Sequence, residues 1–493
     1  MVTKWYSVSK GRVPGVYTTW EETEEQVKNY PGAEYKSFDT EAKALQYIDE
    51  SPPPVPEKTT QKSDYGLNTE QKAAFDAIVE GKSLFITGPG GTGKSYLLQT
   101  LYASYKGLTG KTLAITAMTG CAALLLGPWA KTLHSWAGIG IGRLPAEQIA
   151  KTIATDARKK KRWRQTDCLV IDEVSMLTPS LLEYLDTVGR IVRKQDKPFG
   201  GIQIVFVGDF YQLPPVSKDI QDTRTFAFES ALWQEVVETS IQLTQILRQK
   251  DPAFQQILNE ARTGSLTAES FAALEARKTM GWKRQEIKPT LLFTKNQDVS
   301  SINSSQLDKL AGDEHIFKAE TTKFPRRIPQ DILQMIIDKL DKDAPYEVEL
   351  RIKEKSQVML LINQDPEAGL VNGSRGVVTG FTADDIPLVK FLNGPPFPVK
   401  VPRSSWSSES EAEGDGVTRE QIPLRLAYAL TIHKAQGASL DSALIDVGPS
   451  TFEYGQAYVA LSRARNLESL FIFEISQRAF RAHPTVKAFY SKL

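Results

Sequence analysis

The octapeptide Gly88-Pro-Gly-Gly-Thr-Gly-Lys-Ser95 constrains this chain more than any other feature: it stands between an apolar run, Ser83-Leu-Phe-Ile-Thr87, and a stretch of helical period from Tyr96 to Tyr105. Strand, glycine-rich turn and helix in that order make the phosphate-loop pattern. Glycines let backbone N–H groups turn inward around a β-phosphate, Lys94 offsets charge on the β and γ oxygens, and Ser95 is the expected ligand of Mg2+. Gly88, Gly90, Gly91, Thr92, Gly93, Lys94 and Ser95 are therefore the expected binding residues for ATP or GTP.

The remainder of the chain is patterned to match. From Leu67 onward short β-branched runs alternate with helical stretches, the signature of a parallel sheet covered by helices. Thr112 to Thr116, Cys168 to Asp172 and Ile202 to Val207 are the further strands expected beside Ser83 to Thr87, and runs at Pro289 to Phe293, Ala443 to Val447 and Ser469 to Phe473 predict a second sheet. The strand Leu169-Val-Ile-Asp-Glu173 ends in two carboxylates. That geometry suits Asp172 to hold Mg2+ and Glu173 to orient an attacking water. Two arginines, Arg248 in Leu243-Thr-Gln-Ile-Leu-Arg-Gln249 and Arg463 in Val459-Ala-Leu-Ser-Arg-Ala-Arg465, are candidates to neutralise charge in the transition state.

A length of 493 residues exceeds one ordinary core. The expected division is a module at 1–50, a Pro-rich linker at 51–66, a first sheet domain at 67–240 with an insert near 139–167, a second sheet domain at 241–345 and 420–493, and an inserted β barrel at 346–419. Ser404 to Gly416, with almost no apolar content, is expected to be a mobile loop. Cys121 and Cys168 read as small core residues, and His134, His315, His433 and His483 lack ligand spacing, so zinc and redox chemistry are not expected. No run approaches the length of a spanning helix and residues 1–10 carry no leader core, so no membrane partner is expected. With 60 basic against 59 acidic side chains, any nucleic-acid site must be a local groove.

Six blocks resemble those of the petite-integration-frequency (PIF-one-like) DNA helicases of superfamily one, subclass B. They are Leu67 to Gln71, the phosphate loop, Thr119 to Ala123 with Thr132 to Gly140, Ile171 to Leu177, Gly208 to Val216, and Leu426 to Asp441 with Ala457 to Arg465. Leu185 to Phe199 resembles an insert of that family, and Gly369 to Gly376 its inserted barrel. The resemblance implies an α/β fold of two RecA-like phosphate-loop domains with an SH3-like barrel, and an ATP- and Mg2+-dependent helicase moving 5′ to 3′. It gives Gln71 the adenine edge, Gln212 the γ-phosphate sensor and Arg248 and Arg463 the fingers, with Thr119, His134, His433 and Lys434 along a single-strand channel. A wedge between the Ile139 to Leu144 turn and Asp167 would split a forked duplex. The basic run Arg158 to Arg164 reads as a backbone grip, a nuclear address or a merely solvated face.

At the other end, Lys4 to Trp20 continued by Tyr30 to Phe38 resembles the hybrid-binding module of eukaryotic ribonuclease H and caulimovirus viroplasmin, a small α+β unit. There Tyr6 and Trp20 would lie against sugars and bases while Lys10, Arg12 and Lys36 meet phosphates; Ser37 stands where many relatives carry a second lysine. An RNA–DNA hybrid is thus an expected partner beside single-stranded and forked DNA. A nuclear monomer, with a mitochondrial pool also open, completes the expectation. Two other readings remain: a DNA-stimulated ATPase that remodels without separating strands, and a hybrid-binding adaptor with a decayed motor.

Overall fold

The computed structural model describes residues 4–10, 15–28, 34–40, 44 and 65–493, the last without 128, 141–143, 216–222, 286, 295, 325–328, 366–367, 408–416 and 438–439. The chain forms two units, Met1–Tyr65 and Gly66–Leu493. The expected linker, apart from its last two residues, lies outside the described residues, as does much of the turn assigned to the wedge.

The first unit is a three-stranded antiparallel sheet with Trp5–Lys10 between Gly15–Tyr17 and Glu34–Phe38. The helix Trp20–Val27 follows the second strand, and its Thr19 cap accepts the Glu22 N–H at 3.3 Å. Val8 and Thr23 are wholly buried and Ser7 Oγ donates to the Ala44 carbonyl, so a core exists even in so short a unit.

The second unit opens with a six-stranded parallel sheet in the order Lys131–Thr132, Leu113–Ala117, Cys168–Asp172, Gln203–Val207, Leu84–Thr87, Thr239–Gln242. Every residue of Leu84–Thr87 and Cys168–Asp172 is buried, as a sheet covered on both faces requires, and this is why their apolar runs are continuous rather than alternating. The expected boundary at 240 falls inside the last strand and is corrected to beyond Gln242. Thr239–Gln242 is a partly exposed edge strand with no apolar run, so its pattern is faint.

A second parallel sheet runs Ala429–Thr431, Thr290–Phe293, Ala443–Val447, Leu470–Ile475. The chain then returns. Its last helix, Pro484–Tyr490, was expected in the second domain, but Val486 belongs to the first core and Phe489 stacks on Phe228 at 4.1 Å. The aromatic cluster of Phe85, Phe210, Phe226, Phe228 and Trp233 needs a cover, and this helix supplies it.

Between the strands of the second sheet lies the inserted unit, a five-stranded antiparallel sheet in the order Val399–Lys400, Pro387–Phe391, Arg375–Phe381, Gln357–Leu360, Leu424–Leu426. Its limits are wider than the expected 346–419. Phe317, Leu350 and Ile352 join its core through the pairing of His315–Lys318 with Glu349–Ile352, and Leu424 closes it. Part of the expected mobile loop is ordered: Ser404–Ser407 pairs with Thr418–Gln421 because Trp406 is buried against Tyr346, at 4.7 Å; residues 408–416 lie outside the described residues.

The stretch Leu185 to Phe199 shows how tightly the first domain is packed. In the helix Pro179–Arg193, a Cβ on Gly189 would lie 2.8 Å from the Phe199 carbonyl carbon, and that atom is backbone that cannot swing aside. Gly189→Ala is expected to destabilise the chain by about 1–3 kcal/mol, read as a lower thermal midpoint; an unchanged midpoint contradicts this packing.

Candidate nucleotide site and nucleic-acid face

The helix after the phosphate loop, Lys94–Thr109, begins at Gly93 in a left-handed conformation (φ 81°) with no side-chain cap, which leaves its first-turn N–H groups for an anion. Gly93 must be glycine for a second reason, since a Cβ would lie 2.4 Å from Gln71 Nε2. Lys94 Nζ donates to the carbonyls of Gly88 at 2.7 Å and Pro89 at 2.9 Å. Burial lowers the Lys94 pKa, and the charges of Asp209, Glu173 and Asp172 oppose that shift.

A cavity of about 450 Å³ opens over the loop, a size suited to a nucleotide. It is lined by Gly90, Gly91, Gly93, Lys94, Ser95, Asp172, Glu173, Gln212, Arg248 and Arg463, with Tyr96, Leu125, Leu247 and Gly437 among the remaining walls. All six residues expected to do the chemistry therefore face one space. Gln71 does not. Its Oε1 accepts the Asn68 N–H at 3.1 Å in a capping box and its Nε2 donates to the Thr92 carbonyl at 3.0 Å. The amide expected at the adenine edge is buried and hydrogen-bonded to the backbone here, where it braces the phosphate loop from behind.

Asp172 ends its strand, and Glu173 turns off it in the left-handed region (φ 56°). Burial, reinforced by the Glu173 charge, pushes the Asp172 carboxyl well above the usual carboxylate range. A carboxylate so disfavoured needs a cation beside it, and with the Ser95 hydroxyl on the same cavity wall the donor set fits Mg2+. Glu173 Oε2 accepts Gln436 Nε2 at 3.0 Å, and the same nitrogen lies 3.5 Å from Gln212 Oε1. Gln436 was missed; its signal was its place beside Gly437 within the block Leu426 to Asp441.

Arg463 comes from the second lobe, just past the helix Gln456–Leu461, with its Nε donating to the Val459 carbonyl at 2.9 Å and an NH2 nitrogen 2.6 Å from Ser462 Oγ. Burial and then the neighbouring Arg248 push its pKa down to about 10, against the pull of Glu173 and Tyr458. Burial likewise lowers Arg248. A buried and a half-buried cation facing one cavity are mutually unfavourable until an anion lies between them.

Thr119, His134, His433 and Lys434 all follow the carboxyl ends of strands, Leu113–Ala117, Lys131–Thr132 and Ala429–Thr431. Thr119 Oγ1 accepts the Ala122 N–H as a helix cap. His134 and His433 are half-buried, and burial lowers the His433 pKa against the Glu453 charge; Lys434 is exposed. The basic run is less a free face than expected. Arg162 donates to the carbonyls of Ser135 and Trp136, Trp163 is wholly buried, and Arg164 reaches the Val192 carbonyl. In the first unit Trp20 is 40% exposed, with Tyr6 at 5.8 Å and Tyr35 at 5.6 Å on either side; Lys36 is exposed but alternates to the other face of its strand, its Nζ over the Phe38 ring. Tyr35 was not singled out from sequence. The side chains of Lys10 and Arg12 lie outside the described residues.

Comparison with known proteins gives three family matches: residues 66–271 to PIF1-like helicase, 337–381 to the 2B domain of DNA helicase Pif1, and 4–48 to the ribonuclease H1 N-terminal domain. The chain is 39% identical over 444 residues to the human ATP-dependent DNA helicase PIF1, covering 90% of this chain and 66% of that one. It is 34% identical to the ATP-dependent DNA helicase RRM3 of Saccharomyces cerevisiae, covering 87% and 68%. The chain spans just under two thirds of the first vertebrate relatives, 66% of the human and 64% of the Xenopus laevis protein. The crystal structure of the Candida albicans Pif1 helicase superposes with a TM-score of 0.72 at 35% identity, over 86% of this chain and 99% of that one. Bacteroides sp Pif1 in complex with ADP-AlF4 gives 0.70 at 28% identity, over 86% and 96%.

The placement of Gln71 separates two roles. Gln71→Ala should reduce kcat/KM for ATP and GTP alike and leave their ratio unchanged, because only the loop is loosened; a selective loss of ATP over GTP would restore the adenine-reading role.

Proposed function

This chain belongs to the PIF1-like helicase family, and from that membership we propose that it is an ATP-dependent DNA helicase that moves 5′ to 3′ on a single strand and opens forked duplexes. The observation that carries the proposal is the single cavity shared by Lys94, Asp172, Glu173, Gln212 and two arginines, one of them from the second lobe.

In this reading the loop N–H groups and Lys94 hold the β- and γ-phosphates. Ser95 and Asp172 would hold Mg2+, which supplies charge neutralisation on the phosphate oxygens. Glu173, held by Gln436, orients the attacking water, and the shared contact of Gln436 with Gln212 carries the state of that site toward the second lobe. Arg248 and Arg463 neutralise charge that develops only as the bond breaks. Closure and release of the lobes then alternate the grip of Thr119, His134, His433 and Lys434 on a strand. Support for these partners comes from relatives: Bacteroides Pif1 has been crystallised bound to ssDNA, and unwinding at forked dsDNA is described for two coordinating Pif1 helicases. The chain works as a monomer in this account.

The first unit extends the proposal to RNA–DNA hybrids. An exposed Trp20 flanked by Tyr6 and Tyr35 offers stacking surface, while Lys36, exposed on the other face of its strand, offers a separate phosphate contact. Roles in DNA repair, recombination and telomere maintenance, exercised in the nucleus, follow for a motor of this kind. Among the described residues no helix is long and apolar enough to cross a membrane.

A fluorescent forked duplex with a 5′ tail is expected to be separated with ATP, and one with only a 3′ tail is not; hydrolysis without strand release would favour the remodelling ATPase instead. Lys94→Ala should reduce turnover to background, and steady hydrolysis by that variant contradicts the site. Trp20→Ala in the full chain should weaken hybrid binding by about five- to 150-fold, the range set by loss of one stacked base at ~1–3 kcal/mol, with duplex DNA unaffected; equal affinity for hybrid before and after rejects the role of the first unit.

A further inference from the structure

Under the phosphate loop, side chains that the chemistry above does not use converge on one carboxylate. Asp209 is wholly buried, and Arg262 grips it with both faces of the fork, Nε to Oδ2 and NH2 to Oδ1, each at 2.9 Å. The Tyr211 N–H donates to Oδ1 at 3.2 Å, and two phenols lie against the same carboxylate. Tyr458 Oη lies 3.3 Å from Oδ2 and Tyr490 Oη 3.3 Å from Oδ1. Both hydroxyls then reach the loop: the Gly90 N–H donates to Tyr458 Oη at 2.8 Å, and Tyr490 Oη is 2.5 Å from Thr87 Oγ1, on the strand that enters the loop.

The members come from distant parts of the chain. Asp209 follows the strand Gln203–Val207 of the first sheet, Arg262 ends the helix Pro252–Thr263, Tyr458 lies in the helix Gln456–Leu461 of the second lobe, and Tyr490 closes the last helix. Burial, and after it the Asp209 charge, raises the pKa of both phenols, so each keeps a proton for the carboxylate and turns lone pairs to the loop. A hydroxyl that donates to a buried carboxylate becomes a better acceptor in turn. Burial alone would lower the Arg262 pKa; the Asp209 charge and hydrogen bonds outweigh it and raise it instead.

Tyr458 and Arg463 share one short segment, so whatever fixes Tyr458 against Gly90 also fixes the arginine. Gly90 lies against both residues: a Cβ there would meet Tyr458 Oη at 3.6 Å and an Arg463 NH2 nitrogen at 3.7 Å, ordinary contact distances. We propose that Tyr458 is a positioning residue whose hydroxyl, bridging Gly90 to the Asp209–Arg262 pair, sets the second lobe and its Arg463 at working distance from the phosphate loop. This rests on the reading of the cavity as an ATP-hydrolysing site. Nucleotide affinity, which the first lobe supplies, does not depend on the bridge; the rate of hydrolysis does.

The test is Tyr458→Phe in the full chain, with Tyr105→Phe as a control that removes another hydroxyl hydrogen bond, to Gln203, away from the site. The Tyr458 variant is expected to bind a fluorescent ATP analogue within about twofold of wild type while its single-strand-stimulated kcat falls by about tenfold or more, the pattern of a group acting in the transition state. The Tyr105 variant keeps the wild-type kcat. Wild-type kcat in Tyr458→Phe, or a loss that only follows weaker binding or a lower thermal midpoint, overturns the inference. If Tyr458→Phe does not fold, Tyr490→Phe, which removes the other hydroxyl from the same carboxylate, carries the same expectation, and wild-type kcat there overturns it. A wild-type chain that hydrolyses no ATP beside single-stranded DNA sinks the site reading and this inference together, whereas an active wild type matched by Tyr458→Phe sinks the inference alone.

Discussion

A loop that turns its N–H groups toward an anion leaves its own backbone short of partners, and the surrounding structure is arranged to supply them. The Thr92 carbonyl takes the Gln71 amide, the Gly91 carbonyl takes the N–H groups of Leu247 and Arg248, and the Gly90 N–H finds Tyr458. Gly88 passes so near Leu243 that a Cβ would meet its carbonyl oxygen at 2.2 Å. Each support begins in a different element: the first helix of the second unit, the connector between the lobes and the second lobe itself. The loop is therefore more than a strand-to-helix turn. It is the place where the two lobes are tied.

That tie explains the electrostatics of the proposed site. Lys94, Arg248 and Arg463 are all held with lowered pKa by burial, and Asp172 is held with a raised one. None of these charges is well served by its protein neighbours alone. A phosphate chain with its metal would satisfy them together, so the unfavourable burial becomes preorganisation for a charge that arrives with the nucleotide. Asp209 and Arg262 stand apart from this set. They satisfy each other and behave as fixed framework.

What the sequence disclosed followed the same division. Strands buried on both faces, such as Cys168–Asp172 and Ala443–Val447, announce themselves as unbroken apolar runs, and the phosphate loop announces itself by glycine spacing. The edge strand Thr239–Gln242 carries no such run, and nothing local in Pro484–Tyr490 says which core it covers. The six motif residues expected to do the chemistry line one cavity, while the Gln71 amide, expected at the adenine edge, is turned to the backbone, and Tyr458 passed unnoticed beside Arg463. In both cases the deciding partner, Thr92 or Asp209, is distant in sequence and becomes a neighbour only through folding. The first unit shows both sides: Trp20 and Tyr6 stand out in the motif, whereas Tyr35, on the other side of Trp20, does not.

The central claim is that a nucleotide lies between the lobes, with the second lobe contributing to the transition state and little to the ground state. Equilibrium titration with ADP and with ADP plus aluminium fluoride, in wild type and in Arg463→Ala, tests it directly. The account predicts that wild type prefers the fluoride complex by about a hundredfold or more, as transition-state analogues do, and that Arg463→Ala loses most of that preference while binding ADP as before. An Arg463→Ala protein that keeps the full preference would contradict it.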